Sequence, residues 1–544
     1  MMTRRLTVLL LWAAGSVLHA QPSTIPAEAR QAAGRITAAA LARDLDFLAS
    51  DALAGRNTPS PGFDKAAELI AARLKAAGLE PAGDSGTFLQ HYTMREQAAD
   101  TAAAAIEIGG TRFTFGDDFV MRSFAGPVSG SLPVVYVGHG WTVPAKHIDP
   151  FSGIDVKGKI ILAHGPRALP KGTEIKAIGR VNLGATTVFA EAERRGAAAV
   201  LVIPDESTRK GWAQARNQGT TQRELVPAVP SAYAAVAITS LMIAPRVVEA
   251  LMAGEQIDGA TLVKRGEARD YPESFQLKKS VTVALPAAAT TDHRPYNVVA
   301  ILRGSDPQLR NEYLVLESHL DGAVGSRVVD GDDIYNSADD NATGSAGNLA
   351  IAEALAAGPR PKRSIVFLWD SGEERGLWGT RYFAHQPPVP LAQIVAEINI
   401  DMIGANRAPG SPDVKEPRAT GPNEVFVIGP RALSARAAAL LDTVNRGYLN
   451  MQFNSEHDRF ESEFFYPRTD AGPFLERRIL TIGFTTGLHA RYHLPSDEAR
   501  FLDPGKMEVI ARTILVCAWA LADAKERPGI EKPLPEHVPD YRAR

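Results

Sequence analysis

The sequence predicts an α/β protein: a mostly parallel, mixed sheet covered by helices on both faces, accompanied by a β-rich block. Three observations carry that expectation. From Asn297 onward, short apolar strand-like runs alternate with helical stretches. Between residues 127 and 285 the runs are short, β-rich and divided by Gly and Asp turns. The chain has 544 residues, 45% of them hydrophobic and 22% charged, which fills more than one core and excludes wholesale disorder.

The elements follow in order. Arg4 and Arg5 precede an apolar run over residues 6–18, with small residues close to Ala20. Positive start, short apolar centre and small-residue exit predict a secretory signal over residues 1–20, and so export to a periplasm or beyond. The run falls short of the ~20 residues that span a bilayer, and no other segment is apolar enough, so stable membrane insertion is not expected. Leu41, Leu45 and Leu48 sit at helical spacing within residues 36–53. A Gly/Pro/Ser loop over 55–62 leads to a second helix over 63–77, stopped by Gly78. Residues 104–120 alternate like short strands. Further strands are expected at 132–137, 159–163, 198–203 and 280–285, with a helix over 189–196. In the last block the pattern predicts strands at 297–302, 313–318, 364–369, 397–401, 424–428 and 479–485. Helices are expected there at 343–356, 377–385, 434–445 and 506–524. The tail from 526 is rich in Pro and charge and reads as extended.

Lysine and arginine number 59 against 62 aspartates and glutamates, so the formal charge is −3 and the basic excess of a nucleic-acid binder is missing. The single cysteine, Cys517, excludes an internal disulfide and cysteine-rich zinc modules. Neither a Gly-x-Ser-x-Gly elbow nor a His-Glu-x-x-His helix occurs. Open α/β sheets place their sites beyond the carboxyl ends of the strands. There this chain puts His319-Leu-Asp321, Asp339-Asp340-Asn341, Glu373-Glu374, Asp401, and a run from His489 through His493 to Asp497. Taken singly, each has a plain structural explanation, as a helix cap or a solvated loop group. Gathered on one rim, they would repel one another unless cations neutralised them. His, Asp and Glu without Cys suit zinc, with manganese or cobalt as substitutes.

In this order, His-x-Asp, Ala-Asp-Asp-Asn-Ala-Thr-Gly, Gly-Glu-Glu-x-Gly, Asp-Met-Ile-Gly and Tyr-His-x-x-x-Asp resemble the two-zinc exopeptidases of the bacterial leucyl aminopeptidase and glutamate carboxypeptidase family. The likeness covers most of residues 36–125 and 286–525. Residues 127–285 resemble a protease-associated domain, through Gly153-Ile-Asp-Val-Lys-Gly-Lys-Ile-Ile and Gly196-Ala-Ala-Ala-Val-Leu-Val. The resemblance implies a zinc exopeptidase fold in five parts. These are a signal at 1–20, an N-terminal peptidase part at 21–126, the inserted protease-associated domain at 127–285, the catalytic part at 286–525 and the tail at 526–544.

The same resemblance implies two Zn2+ ions bridged by Asp340, with His319 and Asp401 on the first and Glu374 and His493 on the second. Glu373 matches the general base, Tyr466 the oxyanion-stabilising tyrosine, and Asp340–Asn341 a cis peptide bond. Asp321 is placed to orient His319. His489 competes with His493 as the last ligand, but His493 has the Tyr-His-x-x-x-Asp spacing. Two departures stand out: Thr469-Asp470-Ala471 where many relatives read Ser-Asp-His, and Arg491 where relatives often carry Asp. The implied activity is that of an aminopeptidase acting on peptides with a free N-terminus. The alternatives are a carboxypeptidase or dipeptidase of the same family, then a glutaminyl cyclase or a non-catalytic binding protein.

Overall fold

Where the sequence alternates strand and helix, the chain builds a nine-stranded mixed sheet. The computed structural model describes residues 25–165, 168–174, 184–216, 218–232, 237–407, 419–462 and 464–542. The expected secretory signal at 1–20 lies outside the described residues. The centre of the sheet is parallel: Ser364–Asp370, Tyr313–His319, Ile394–Ile400 and Leu480–Thr485 lie side by side in that order. Antiparallel neighbours flank it, Tyr296–Leu302 on one side and Glu424–Ile428 on the other. The first three of these central strands are buried along their whole length, as suits the parallel centre of a sheet covered on both faces.

Helices cover both faces. Ala38–Leu48, Gly344–Ala356, Ala435–Arg446 and Pro504–Asp523 pack Leu41, Leu349, Leu441 and Ile514 on one side, in one core with Leu314, Leu316 and Phe367. On the other, Trp378–His385 and Ala471–Glu476 bring Phe383 and Phe474 against Val299, Val315, Val366 and Leu368. Pro61–Ala76 starts on a Ser60 cap that accepts from the Phe63 N–H, with Pro61 in the first turn.

The helix expected over 36–53 is shorter in the structure. It ends at Leu48, and Asp51–Leu53 is a separate tight turn. Ala54, Gly55 and Arg56 then take left-handed backbone in succession. The cause is Arg56, a fully buried guanidinium that donates to the carbonyls of Leu48, Leu320, Asn336 and Ser337.

The β-rich block forms its own eight-stranded sheet with its own cores. That sheet also takes in Ala105–Ile108, Thr111–Thr114 and Phe119–Ser123, which precede the change of texture at residue 127. Two helices absent from the expectation, Pro245–Met252 and Gly259–Glu267, cover it with Val247, Val248, Leu251 and Leu262. The two bodies are joined by a ribbon in which Thr93–Ala99 pairs with Ala287–His293 and with Thr221–Val226. From this ribbon Leu225 and Val229 pack with Tyr92, Met94 and Trp378, and Arg381 donates to the Val229 carbonyl at 2.6 Å. The second body thus rests on the helix that follows Glu373-Glu374. Among the described residues no helix is long and apolar enough to cross a membrane.

Candidate metal centre

The five expected ligands sit at or just beyond the carboxyl ends of the central strands, or in the turn before a covering helix. His319 ends its strand, and Asp401 follows Ile394–Ile400 directly. Glu374 stands in the turn after Ser364–Asp370, and His493 in the loop after Leu480–Thr485. Asp340 lies in the segment Ala338–Thr343 that leads into Gly344–Ala356. One side chain ties two of these pieces together. Asn341 donates to the Ile400 carbonyl at 3.0 Å and accepts from the Gly344 and Met402 N–H groups. Asp497 accepts the Asp339 and Asp340 N–H groups, which sets the turn from the opposite side. The Asp340–Asn341 peptide bond is cis.

Two triads result, and they share one residue. His319, Asp340 and Asp401 form the first; Asp340, Glu374 and His493 form the second. Asp340 presents a different oxygen to each. Its Oδ1 lies 3.1 Å from His319 Nε2, and its Oδ2 lies 3.0 Å from His493 Nε2. Asp401 Oδ1 is 3.4 Å from His319 Nε2, and Glu374 Oε2 is 3.1 Å from His493 Nε2. His319 Nε2, Glu374 Oε1 and Asp401 Oδ1 are buried without a hydrogen-bond partner. Orphaned imidazole and carboxylate donors aimed at common points fit zinc.

Charge is concentrated here. Burial works against a charged His493, but Asp340 and Glu374 prevail and push it up to about 10. Burial alone would raise Asp340; the adjacent His319 and His493 imidazoles instead hold it far below the usual carboxylate range. Glu374 is pushed up to about 7 by burial and by Asp340. Glu373 is raised well above its ordinary value, by burial first and then by the Glu374, Asp470 and Asp340 carboxylates.

Glu373 belongs to neither triad but lines the adjoining pocket with Asp340, Asn399 and Asp401. The pocket encloses about 1060 Å³, part of it continuous with solvent. Its lining also includes the apolar side chains of Met402, Ile428, Phe464, Phe465 and Leu488.

Two expectations change in detail, and the preference for His493 over His489 does not. Tyr466 is not on the pocket wall: it is buried, and its hydroxyl donates to Glu476 at 3.2 Å. The chain tail explains this, because His537 packs on the Tyr466 ring and Tyr541 N–H bonds to the Glu476 carbonyl. The tyrosine that does line the pocket is Tyr492, stacked on His493 with ring centroids 3.8 Å apart. His489 lies apart from both triads, 3.3 Å from Asp339 Oδ2. Asp321 faces His319 through its backbone: the Nδ1–H donates to the Asp321 carbonyl at 3.2 Å, leaving Nε2 toward the triad. The Asp321 carboxylate instead accepts the Glu373 N–H.

Asn399 and Arg56, which hold the pocket wall and the neighbouring loops, were missed as individual site residues. Asn399 lies inside a strand, and Arg56 stands far from the rim in sequence.

Residues 297–518, which contain every member of both triads, match the pattern of Peptidase family M28. That match covers less than half of the chain. Among curated proteins, the leupeptin-inactivating enzyme 1 of Streptomyces exfoliatus is 35% identical over 138 residues, 25% of this chain and 29% of that protein. A probable zinc metalloprotease of Leptosphaeria maculans is 30% identical over 145 residues, 26% of this chain and 33% of that protein. The chain therefore spans about a third of the length of these curated relatives. Among solved structures, the aminopeptidase of Aneurinibacillus sp. strain AM-1 superposes with a TM-score of 0.54 at 16% identity, covering 94% of this chain and 100% of that one. A zinc aminopeptidase of Bacillus subtilis gives 0.50 at 17% identity, over 92% and 99%. These two carry the fold across nearly the whole chain, well beyond the M28 segment.

Proposed function

We propose that this chain is an exported aminopeptidase that holds two zinc ions about Asp340 and hydrolyses the N-terminal bond of peptides. The observation that supports it most is the division of Asp340, one oxygen to each triad, with Glu373 on the wall beside them. Zinc bound at these residues supplies Lewis acidity, polarising a peptide carbonyl and lowering the pKa of water toward neutrality. The chain's own groups do the rest. Glu373, outside both triads, takes the proton of the attacking water and returns it to the leaving amine. Its raised pKa is the direction a proton carrier needs. Asp321 holds the Glu373 backbone and so sets where that carboxylate stands.

The acidic wall, Glu373 and Asp401, receives a free α-amino group. The apolar part of the lining receives the side chain of the first residue, so apolar N-terminal residues are preferred. The residues 1–20 support export. Residues 127–285, read as an inserted protease-associated domain, narrow the approach to short peptides from their seat on the helix Trp378–His385.

A second reading rests on Arg468, a cation on the same pocket wall: a carboxypeptidase or dipeptidase would pair it with a terminal carboxylate. One peptide offered free and N-acetylated separates them. Cleavage of the free form alone, abolished by chelation and restored by zinc, is expected. Equal cleavage of both forms would replace the aminopeptidase reading with the second.

A further inference from the structure

One layer behind the rim, on the sheet face that carries His319, three more acids converge. Glu317, Asp370 and Asp470 each offer an oxygen, and these oxygens lie within 4.8 Å of one another. The register explains the meeting. Asp370 pairs with His319, and Glu317 pairs with Asn399 of the next strand, so their side chains share one face. Asp470 arrives from the start of the covering helix Ala471–Glu476.

All three are buried, Glu317 and Asp370 at 0% exposure and Asp470 at 2%. Glu317 Oε2 accepts from Asn399 at 2.7 Å, and Asp470 accepts from the Thr380 hydroxyl. Glu317 Oε1 and both oxygens of Asp370 have no hydrogen-bond partner. Glu397, at 0% exposure on the next strand, has none for either oxygen. The charged groups acting on Glu317 and Glu397 are the other carboxylates of the cluster.

Buried carboxylates without donors are costly, and four together need something positive among them. All the unpartnered atoms are oxygens, which selects a hard cation rather than a thiolate- or imidazole-seeking one. A dry, fully buried cage favours calcium over magnesium, which gives up its waters reluctantly. Calcium–oxygen distances of roughly 2.3–2.6 Å let oxygens up to about 5 Å apart share one ion. The observed separations fall inside that reach.

We propose that Glu317, Asp370 and Asp470 hold a hard divalent cation of calcium's class, in a third site behind the M28 triads. Glu397 completes its negative surround. Asn399 bonds Glu317 and lines the pocket, so the path inward runs past it. A cation there ties the His319 strand to the strand that leads into Glu373-Glu374. The inference does not rest on the proposed peptidase activity.

The test uses the zinc-loaded full chain, cleared of loose metal and titrated with calcium chloride, with magnesium chloride in parallel. Elemental analysis is expected to find one calcium per chain beside unchanged zinc. The Tm should rise with calcium concentration, and magnesium should bind at least tenfold more weakly. Glu317→Gln and Asp370→Asn should each lose the calcium and the Tm rise while keeping zinc. If the variants fail to fold, the wild-type titration decides. No calcium and no Tm shift at millimolar calcium would overturn the site, leaving protons to neutralise the acids. A third zinc lost from both variants would overturn its assignment to a hard cation. Loss of zinc with calcium retained would count against the proposed function and leave this site standing.

Discussion

Replacing Tyr466 by Phe removes one hydrogen bond to Glu476, at a cost of about 1 kcal/mol, and leaves the pocket wall intact. Its kcat/KM should stay within about twofold of wild type. Tyr492→Ala removes a wall residue and the ring stacked on His493, and should lower kcat/KM by about tenfold or more. Steady-state kinetics on one peptide checks both, and the reverse order would restore Tyr466 to the site. The contrast shows what was legible. His319, Asp340, Glu373, Glu374, Asp401 and His493, which the structure gathers around one pocket, stand out in the sequence because each follows a strand or opens a helix, where chemistry is expected. Tyr466 lies off the pocket wall because its hydroxyl bonds Glu476 and its ring packs on His537 of the tail, a contact the local sequence does not announce. Glu317 and Glu397 carry no such signal, because they lie inside strands rather than at their ends.

At the scale of elements, the site depends on how closely the helix Gly344–Ala356 approaches the strand Ile394–Ile400. A Cβ on Gly344 would stand 2.1 Å from the Ile400 carbonyl oxygen and 2.2 Å from Asn341 Oδ1. Backbone on one side and the Asn341 clip on the other leave no room to yield. Gly344→Ala should cost about 2–3 kcal/mol and weaken zinc retention, because it parts the Asp340 turn from the Asp401 turn. A lower Tm with reduced zinc content is the expected result, and a wild-type Tm would show that the close approach can relax. The main strands were legible because continuous apolar runs divided by turns have few other uses. The break after Leu48 was not, because it is dictated by carbonyls at residues 320, 336 and 337 that only the fold brings to Arg56.

At the scale of the whole molecule, acid acts on the eight-stranded body through one buried imidazole. His164, in the core of the eight-stranded sheet, is held down to about 4 from an ordinary 6.5, by burial and then by His139. Its ring meets the Tyr136 hydroxyl at 3.2 Å and the Tyr271 ring, with no carboxylate bonded to it. As pH falls the unfolded chain takes the proton first. This contribution is therefore complete above 6.5, is lost between about 6.5 and 4, and changes no further below. The loss amounts to about 3 kcal/mol, and His164→Gln should remove that part of the pH dependence. Thermal melts from pH 7 to 4 check it; an unchanged slope in the variant would contradict it. The existence of a second body was legible from its texture. Its seat on the helix after Glu373-Glu374 was not, because that contact depends on the ribbon Thr221–Val226 crossing back to Thr93–Ala99.

The central claim is that Asp340 joins two metals while Glu373 moves the proton. The most direct measurement is zinc content and kcat on the same samples of wild type, Glu373→Gln and Asp340→Ala. The account predicts two zinc ions in wild type and in Glu373→Gln, a loss of kcat in Glu373→Gln of at least about a hundredfold, and loss of zinc in Asp340→Ala. Near-normal turnover in Glu373→Gln, or full zinc in Asp340→Ala, would contradict it.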